Sequence, residues 1–399
     1  MLNPNLAPLG HYTFARLNEI LADVIPRSNE LPILFSIGEP QKSTPALLAE
    51  NVAGHNDKWN RYPPPNGDEA FRSAVVAWAH RRFNLPAGFI DPHRHIVPVP
   101  GTREPLYQIG FLCTPLKKAS ERPAVLMPNP FYHVYQGAAM VGGAEPVYLA
   151  AERENNFLPD LGALSEDLLA RTSIFFICTP ANPQGTIADI EYLKRAIELA
   201  RQYDFVLALD ECYCEIYRGS PPIGGLEACA ALDDSLKNVV MFHSLSKRSS
   251  APGLRSGFLC GDPRIIERYS QFVTFGGSPL PLPVLHASTA LWGDDQHVAE
   301  NRAYYAENFR LAEEILSPHI DFSAPPAGFF LWLNVGDGMK AARKLWEEAA
   351  IKTVPGELMA REDETGSNPG ASYLRVALVY DAETTKRGLL RLVECLFGK

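Results

Sequence analysis

Four polar clusters follow directly on short apolar runs, and their residue types are complementary. After Val97-Pro98-Val99 comes Gly101-Thr102-Arg103-Glu104, and after residues 174–178 comes Asn182-Pro183-Gln184-Gly185. After residues 205–209 comes Asp210-Glu211-Cys212-Tyr213, and after 239–242 comes Ser244-Leu245-Ser246-Lys247, with Arg255 eight residues on. A helix opening at Thr102 offers free N–H groups suited to a phosphate. The hydroxyls of Ser244 and Ser246 and the planar fork of Arg255 suit the same anion. Asp210, at a buried strand end, suits a protonated ring nitrogen. Asn182 and Tyr213 suit a phenolic oxygen, and Lys247 suits imine formation with an aldehyde. Each has an ordinary alternative: Asp210 as a helix cap, Asn182-Pro183 as a turn, Tyr213 as core packing, Lys247 as a solvated surface charge. The set, in this order, favours a site.

Such clusters need strands behind them, because ligands of an open parallel sheet bind beyond the carboxyl ends of its strands. Apolar runs at 95–99, 124–127, 174–178, 205–209, 239–242 and 257–260 meet that need. Helical patterns separate several of them. Phe71, Val75 and Trp78 recur on one face after a cap at Asp68, and Leu193, Ala196, Ile197 and Ala200 do so after Asp189. Strand, helix, strand predicts an α/β domain over residues 50–285 with a mostly parallel sheet covered on both faces. Beyond it the order changes to a long helix at about 296–316, a strand-like run at 328–335, a helix near 340–350, an alternating strand at 372–379 and a last helix from Asp381. Residues 286–399, with 1–49, are therefore expected to form a smaller α+β domain.

Composition bounds the function. The 399 residues are 46% apolar, and 37 Lys and Arg against 46 Asp and Glu leave a formal charge of −9. That profile excludes disorder over most of the chain. The acidic balance and the lack of long basic runs argue against a nucleic-acid binder, and no stretch of 18 apolar residues offers a membrane-spanning helix. The seven cysteines form no C-x-x-C pair and read as reduced packing residues. The ten histidines show no metal-binding spacing, and no G-x-G-x-x-G occurs. Residues 1–10 carry neither a basic nor an apolar leader segment, so cytoplasmic residence is the expectation.

Phosphate, pyridinium, phenolate and aldehyde together describe pyridoxal 5′-phosphate. The segments Ile37-Gly38-Glu39-Pro40, Asn182-Pro183-Gln184-Gly185, Asp210-Glu211-x-Tyr213, Ser244-x-Ser246-Lys247 with Arg255, and Tyr373-Leu374-Arg375 resemble the class I pyridoxal-phosphate aminotransferases of fold type I. The resemblance spans nearly the whole chain. Within the family, Pro128-Asn129-Pro130-Phe131-Tyr132, the run Tyr135 to Ala139 and the stretch around Pro252-Gly253-Leu254-Arg255 look most like the N-succinyldiaminopimelate aminotransferases.

The resemblance implies a seven-stranded, mostly parallel sheet between helices and a ping-pong transfer of an amino group between an amino acid and 2-oxoglutarate. It implies Lys247 as the residue that bonds the cofactor, Asp210 at the ring nitrogen, and Tyr213 and Asn182 at the ring oxygen. Tyr132 would stack on the ring, and Thr102, Arg103, Ser244, Ser246 and Arg255 would hold the phosphate. Arg375, Gly38 and Asn182 would hold the substrate. Arg375 alternates with Leu374 and Val376, so it faces away from their apolar side, toward either a carboxylate or solvent. Tyr62 matches a tyrosine that reaches the phosphate of a neighbouring subunit, which implies a homodimer with shared active sites.

Rival readings are an aspartate- or aromatic-type aminotransferase, a same-fold lyase acting on C–S bonds, and a non-catalytic cofactor-binding module. Ser244-x-x-Lys247 also matches the acylating motif of penicillin-binding enzymes, whose S-D-N and K-T-G companions are absent. Arg27, Arg103 and Arg248 are the candidate cations for a distal substrate carboxylate.

Overall fold

The computed structural model describes residue 4 and residues 12–398. After α1 (Thr13–Ile20), the chain builds the helices α2 (Ala46–Gly54) and α3 (Glu69–Phe83), then alternates strand and helix. The order is β1 (Ile96–Val99), α4 (Arg103–Cys113), β2 (Ala124–Asn129), α5 (His133–Val141), β3 (Glu145–Ala150), α6 (Glu166–Arg171), β4 (Thr172–Cys178) and α7 (Ile190–Gln202). It continues with β5 (Val206–Asp210), α8 (Gly225–Leu232), β6 (Val239–Ser244), the single turn α9 (Leu245–Arg248), β7 (Gly257–Gly261), α10 (Pro263–Gly276) and α11 (Leu282–Gly293). Side-chain caps start helices where the sequence places them: Asp68 accepts from the Phe71 N–H at 2.8 Å and Asp189 from the Tyr192 N–H at 2.8 Å.

The seven strands pair in the order β1-β7-β6-β5-β4-β2-β3. Pairs among β2 to β6 are parallel, and β7 alone runs antiparallel to both of its neighbours. Two reversals restore direction, so β1 points the same way as β6. The carboxyl ends of β1, β4, β5 and β6 therefore meet at one edge, which brings Thr102, Asp210 and Ser244 together. β4 and β5 are buried along their whole length, as strands covered on both faces must be. One face packs Phe71, Trp78, Ile197, Leu226 and Trp292, and the other packs Leu106, Ile109, Tyr135 and Tyr269. The apolar runs did not include β3. It is a half-exposed edge strand carrying Pro146, a residue that edge strands tolerate because one side of their backbone is unpaired.

A second unit contains α12 (Gln296–Leu316), β8 (Phe330–Asn334), α13 (Gly338–Ala349), β9 (Val354–Pro355), β10 (Tyr373–Ala377) and α14 (Ala382–Phe397). Its three-stranded sheet runs β8-β10-β9, and Leu331, Leu374 and Val376 pack against Phe309, Leu345 and Leu389. The boundaries expected at 50 and 285 both fall inside helices. Leu47 and Leu48 of α2 and Leu285, Leu291 and Trp292 of α11 join the core of the large unit. α2 and α11 pack on each other.

Candidate active site

A cavity of about 470 Å³ opens at the edge where the strand ends converge. Twelve of the thirteen residues singled out from the sequence line it: Gly38, Thr102, Arg103, Tyr132, Asn182, Asp210, Tyr213, Ser244, Ser246, Lys247, Arg255 and Arg375. Tyr62 does not, and its side chain is fully exposed.

Asp210 closes β5, and its carboxylate is buried. It accepts from the Tyr135 hydroxyl at 2.7 Å and from the Cys212 N–H at 3.3 Å. Burial raises its pKa against these two donors, and among the described residues it forms no ion pair. A cationic partner is what this carboxylate lacks. Glu211, one position on, points behind the sheet to the Gly225 N–H at 2.6 Å and to His243 at 3.1 Å, so only one of the two acids faces the cavity.

Ser244 ends β6 and caps α9, accepting from the Ser246 N–H at 3.1 Å. That one tight turn aims Lys247 into the cavity, where Nζ donates to the Gly38 carbonyl at 2.5 Å. Burial pulls its pKa down to about 8, which makes a neutral, nucleophilic amine accessible near neutral pH. Gly38 has no room for a side chain, since a Cβ there would lie 2.7 Å from the Phe330 ring.

Arg375 is buried, not solvent-exposed. It donates to the Ser36 carbonyl at 2.7 Å and to Asn182 Oδ1 at 3.3 Å, while its Nε has no partner. The Phe330 ring lies 4.4 Å from the guanidinium carbon. Burial lowers its pKa to about 10, and no carboxylate pairs with it among the described residues. A planar cation in that state is suited to an incoming carboxylate.

At another pole of the cavity the first turn of α4 begins after Thr102, beside the Ser244 and Ser246 hydroxyls, which lie 2.8 Å apart. Arg255 reaches the same pole and pairs there with Glu104 at 3.2 Å. Gly101 takes a positive φ of 78°, and a Cβ would sit 2.5 Å from the Arg255 guanidinium, so only glycine permits this approach. N–H groups, hydroxyls and a guanidinium at one pole, a buried carboxylate and a buried amine fit a molecule bearing a phosphate, a protonated ring nitrogen and an aldehyde.

Tyr132 lines the cavity, and its hydroxyl accepts from Arg103 Nε at 3.1 Å. Phe131 packs in the core yet also borders the cavity. Of the candidate distal cations, Arg103 faces the cavity. Arg248 is buried and occupied by the Leu291 carbonyl at 2.6 Å and by Asp295 at 3.1 Å, and Arg27 pairs with Glu347 outside it. Sequence reasoning gave no role to Tyr135, the donor to Asp210. Its one signal was position, three residues after Tyr132 on the first turn of α5. It also missed the wall formed by Tyr12, Phe14 and His133.

Residues 32–392 match the family described as aminotransferase class I and II. The chain is similar to LL-diaminopimelate aminotransferase of Dehalococcoides mccartyi, at 29% identity over 98% of each chain. It is similar to the same-named enzyme of Moorella thermoacetica, at 30% identity over 96% of this chain and 95% of the other. Among solved structures, an aminotransferase from Neisseria meningitidis superposes with a TM-score of 0.94 at 37% identity, covering 99% of this chain and 100% of that one. Aminotransferase AspB from Helicobacter pylori superposes with a TM-score of 0.87 at 34% identity, covering 96% and 97%. The closer resemblance read from the sequence was to N-succinyldiaminopimelate aminotransferases. The Dehalococcoides and Moorella relatives are named for LL-diaminopimelate, without the succinyl group.

Proposed function

Because this chain belongs to the class I and II aminotransferases, and is thereby a pyridoxal 5′-phosphate-dependent transaminase, we propose that it moves an amino group between a diaminopimelate-class donor and 2-oxoglutarate in the cytoplasm. The donor is LL-2,6-diaminopimelate or its N-succinyl derivative. One observation carries the assignment of roles: buried Asp210, half-buried Lys247 and buried Arg375 are charge-bearing groups, without ion-pair partners among the described residues, on the wall of one cavity.

When bound, the coenzyme supplies an aldehyde carbon that exchanges amines and a ring that withdraws electrons from the substrate α-carbon. Asp210 holds the proton on the ring nitrogen, and the Tyr135 hydroxyl holds Asp210. Tyr213 and Asn182 face the ring oxygen. Thr102, Ser244, Ser246, Arg255 and Arg103 would hold the phosphate, and Tyr132 would stack on the ring. Arg375 grips the α-carboxylate. Lys247 would bond the coenzyme's aldehyde carbon and, as a free amine, would carry the proton at the substrate α-carbon. Arg103 is the cation of the three candidates that faces the cavity, which supports a dicarboxylate donor. Tyr62, fully exposed, completes the phosphate site of a second copy in a homodimer.

Steady-state kinetics with 2-oxoglutarate as acceptor test the donor. Either diaminopimelate compound should exceed aspartate and aromatic amino acids in kcat/KM by about tenfold or more, the scale on which a pocket discriminates. Preference for aspartate or an aromatic donor overturns the substrate, and pyruvate release from cysteine-like compounds without an oxo acid marks a lyase.

Arg375→Lys should raise KM for amino acid and oxo acid together by about tenfold or more, with kcat less affected, because an ammonium cannot reproduce the paired donors. Parent-like kinetics would remove Arg375 as the clamp.

Attachment of the coenzyme to stripped protein should accelerate as pH rises through about 8, where Lys247 loses its proton, rather than near its ordinary value of 10.5. Between those values the unfolded chain binds more protons than the folded one, so stability should also rise with pH across that window. The growth rate of the coenzyme absorbance band measured from pH 6.5 to 10 checks the first, and a rise only above pH 9.5 would contradict it.

A further inference from the structure

Two buried asparagines lie seven residues apart on α12, and each holds main-chain carbonyls next to one of the two proposed substrate-handling cations. Asn301 Nδ2 donates to the carbonyls of Lys247 and Arg248 at 2.9 and 3.1 Å. Its Oδ1 accepts from the Ser250 hydroxyl at 3.0 Å, which fixes the amide's orientation. His297, one turn earlier, meets the Ser249 hydroxyl at 2.8 Å and is itself held by Asp294 at 2.5 Å. At the other end of the span, Asn308 Nδ2 donates to the carbonyls of Leu378 and Tyr380 at 3.0 and 2.8 Å. Those carbonyls follow directly on β10, the strand that carries Arg375.

Asn301 is 3% exposed and Asn308 1%. A carbonyl buried beside a missing donor is costly, so both grips are strongly favoured. Seven residues of helix span roughly 10 Å and return to nearly the same face. The helix between the grips is continuous, and beyond Asn308 its Phe309, Ala312 and Leu316 are packed into the core of the second unit. A stiff element is thus fastened at one point to the turn bearing the amine and at another to the strand bearing the guanidinium.

We propose that α12 is a spacer that sets the separation between the Lys247 amine and the Arg375 guanidinium, with Asn301 and Asn308 as its positioning residues. The reaction requires both ends at once: Arg375 fixes the substrate carboxylate, and Lys247 must then lie within reach of the α-proton. Misplacement by about 1 Å costs on the order of 100-fold in rate. The two asparagines act on different terms. Asn301 governs where the amine sits, and Asn308 governs where the carboxylate is held. This inference rests on the roles given above to Lys247 and Arg375.

The test uses the coenzyme-loaded enzyme and the variants Asn301→Ala and Asn308→Ala, beside Lys247→Ala. Asn301→Ala should lower kcat by about 10- to 100-fold with KM within about threefold. It should also shift the pH midpoint of the coenzyme absorbance and speed amide exchange in the peptide covering residues 245–250. Asn308→Ala should raise KM for both substrates by about tenfold and leave the absorbance midpoint in place. Should Asn301→Ala fail to fold, Asn301→Ser is read by the same absorbance and exchange measurements. Asparagine variants that melt earlier but keep the parent kcat, KM and absorbance midpoint, while Lys247→Ala is inactive, overturn the spacer alone. An active Lys247→Ala overturns the underlying roles and the spacer with them.

Discussion

Lys247→Ala should lower transamination by on the order of 10³- to 10⁶-fold, the range seen when a residue that is both attachment point and proton carrier is removed. The expectation follows from the geometry of one turn. β6 ends in a serine that caps α9, and that single turn presents the Lys247 amine to the cavity at the Gly38 carbonyl. Among the described residues no second lysine lines that cavity, so no other primary amine is at hand to replace it. Borohydride treatment of the loaded parent should fix the coenzyme to the peptide containing Lys247, and the variant should yield no such product. The fold should survive, because the substitution removes an amine whose charging burial disfavours. A folded variant that retains parent turnover would end the assignment.

Asp210→Asn should cost about 10²- to 10³-fold in turnover, the scale of losing one preorganised electrostatic partner in a buried site. An amide of the same shape can still accept from Tyr135, but it cannot hold a proton on a ring nitrogen. The sign of the stability effect separates this role from a structural one. In the stripped protein the carboxylate is buried with two hydrogen-bond donors and without an ion pair among the described residues, and burial already pushes its pKa up. Removing that charge should leave the melting temperature of stripped protein equal or higher while catalysis collapses. A fall of both together would make Asp210 a framework residue.

Much of this was readable from residue order. Helical periodicity located α3, α7 and α12, because each buries one face, and alternation of apolar and polar types located β10. The strand-end motifs located the cavity wall, because parallel strands deliver their carboxyl ends to one edge. What escaped has physical causes. β3 lacks the apolar signal because it lies at the edge of the sheet. The bond from Tyr135 to Asp210 crosses 75 residues and leaves no local periodicity. Alternation set Arg375 opposite Leu374, but only the packing of Phe14 and Phe330 against its guanidinium shows that this second face is enclosed. Tyr62 is fully exposed and does not line the cavity.

The unmatched charges around the cavity bear on the lifetime of the polypeptide in a cell. The chain carries the desolvation cost of a buried carboxylate and a buried guanidinium, and in the proposed roles the occupant and substrate would each neutralise one. A tight ligand at a hundredfold excess over its dissociation constant adds about 2.7 kcal/mol to the native state, and relief of buried charge is one source of that affinity. On that footing vitamin supply would change abundance as well as rate: protein without its occupant should melt earlier and be cut faster by protease than protein that holds it.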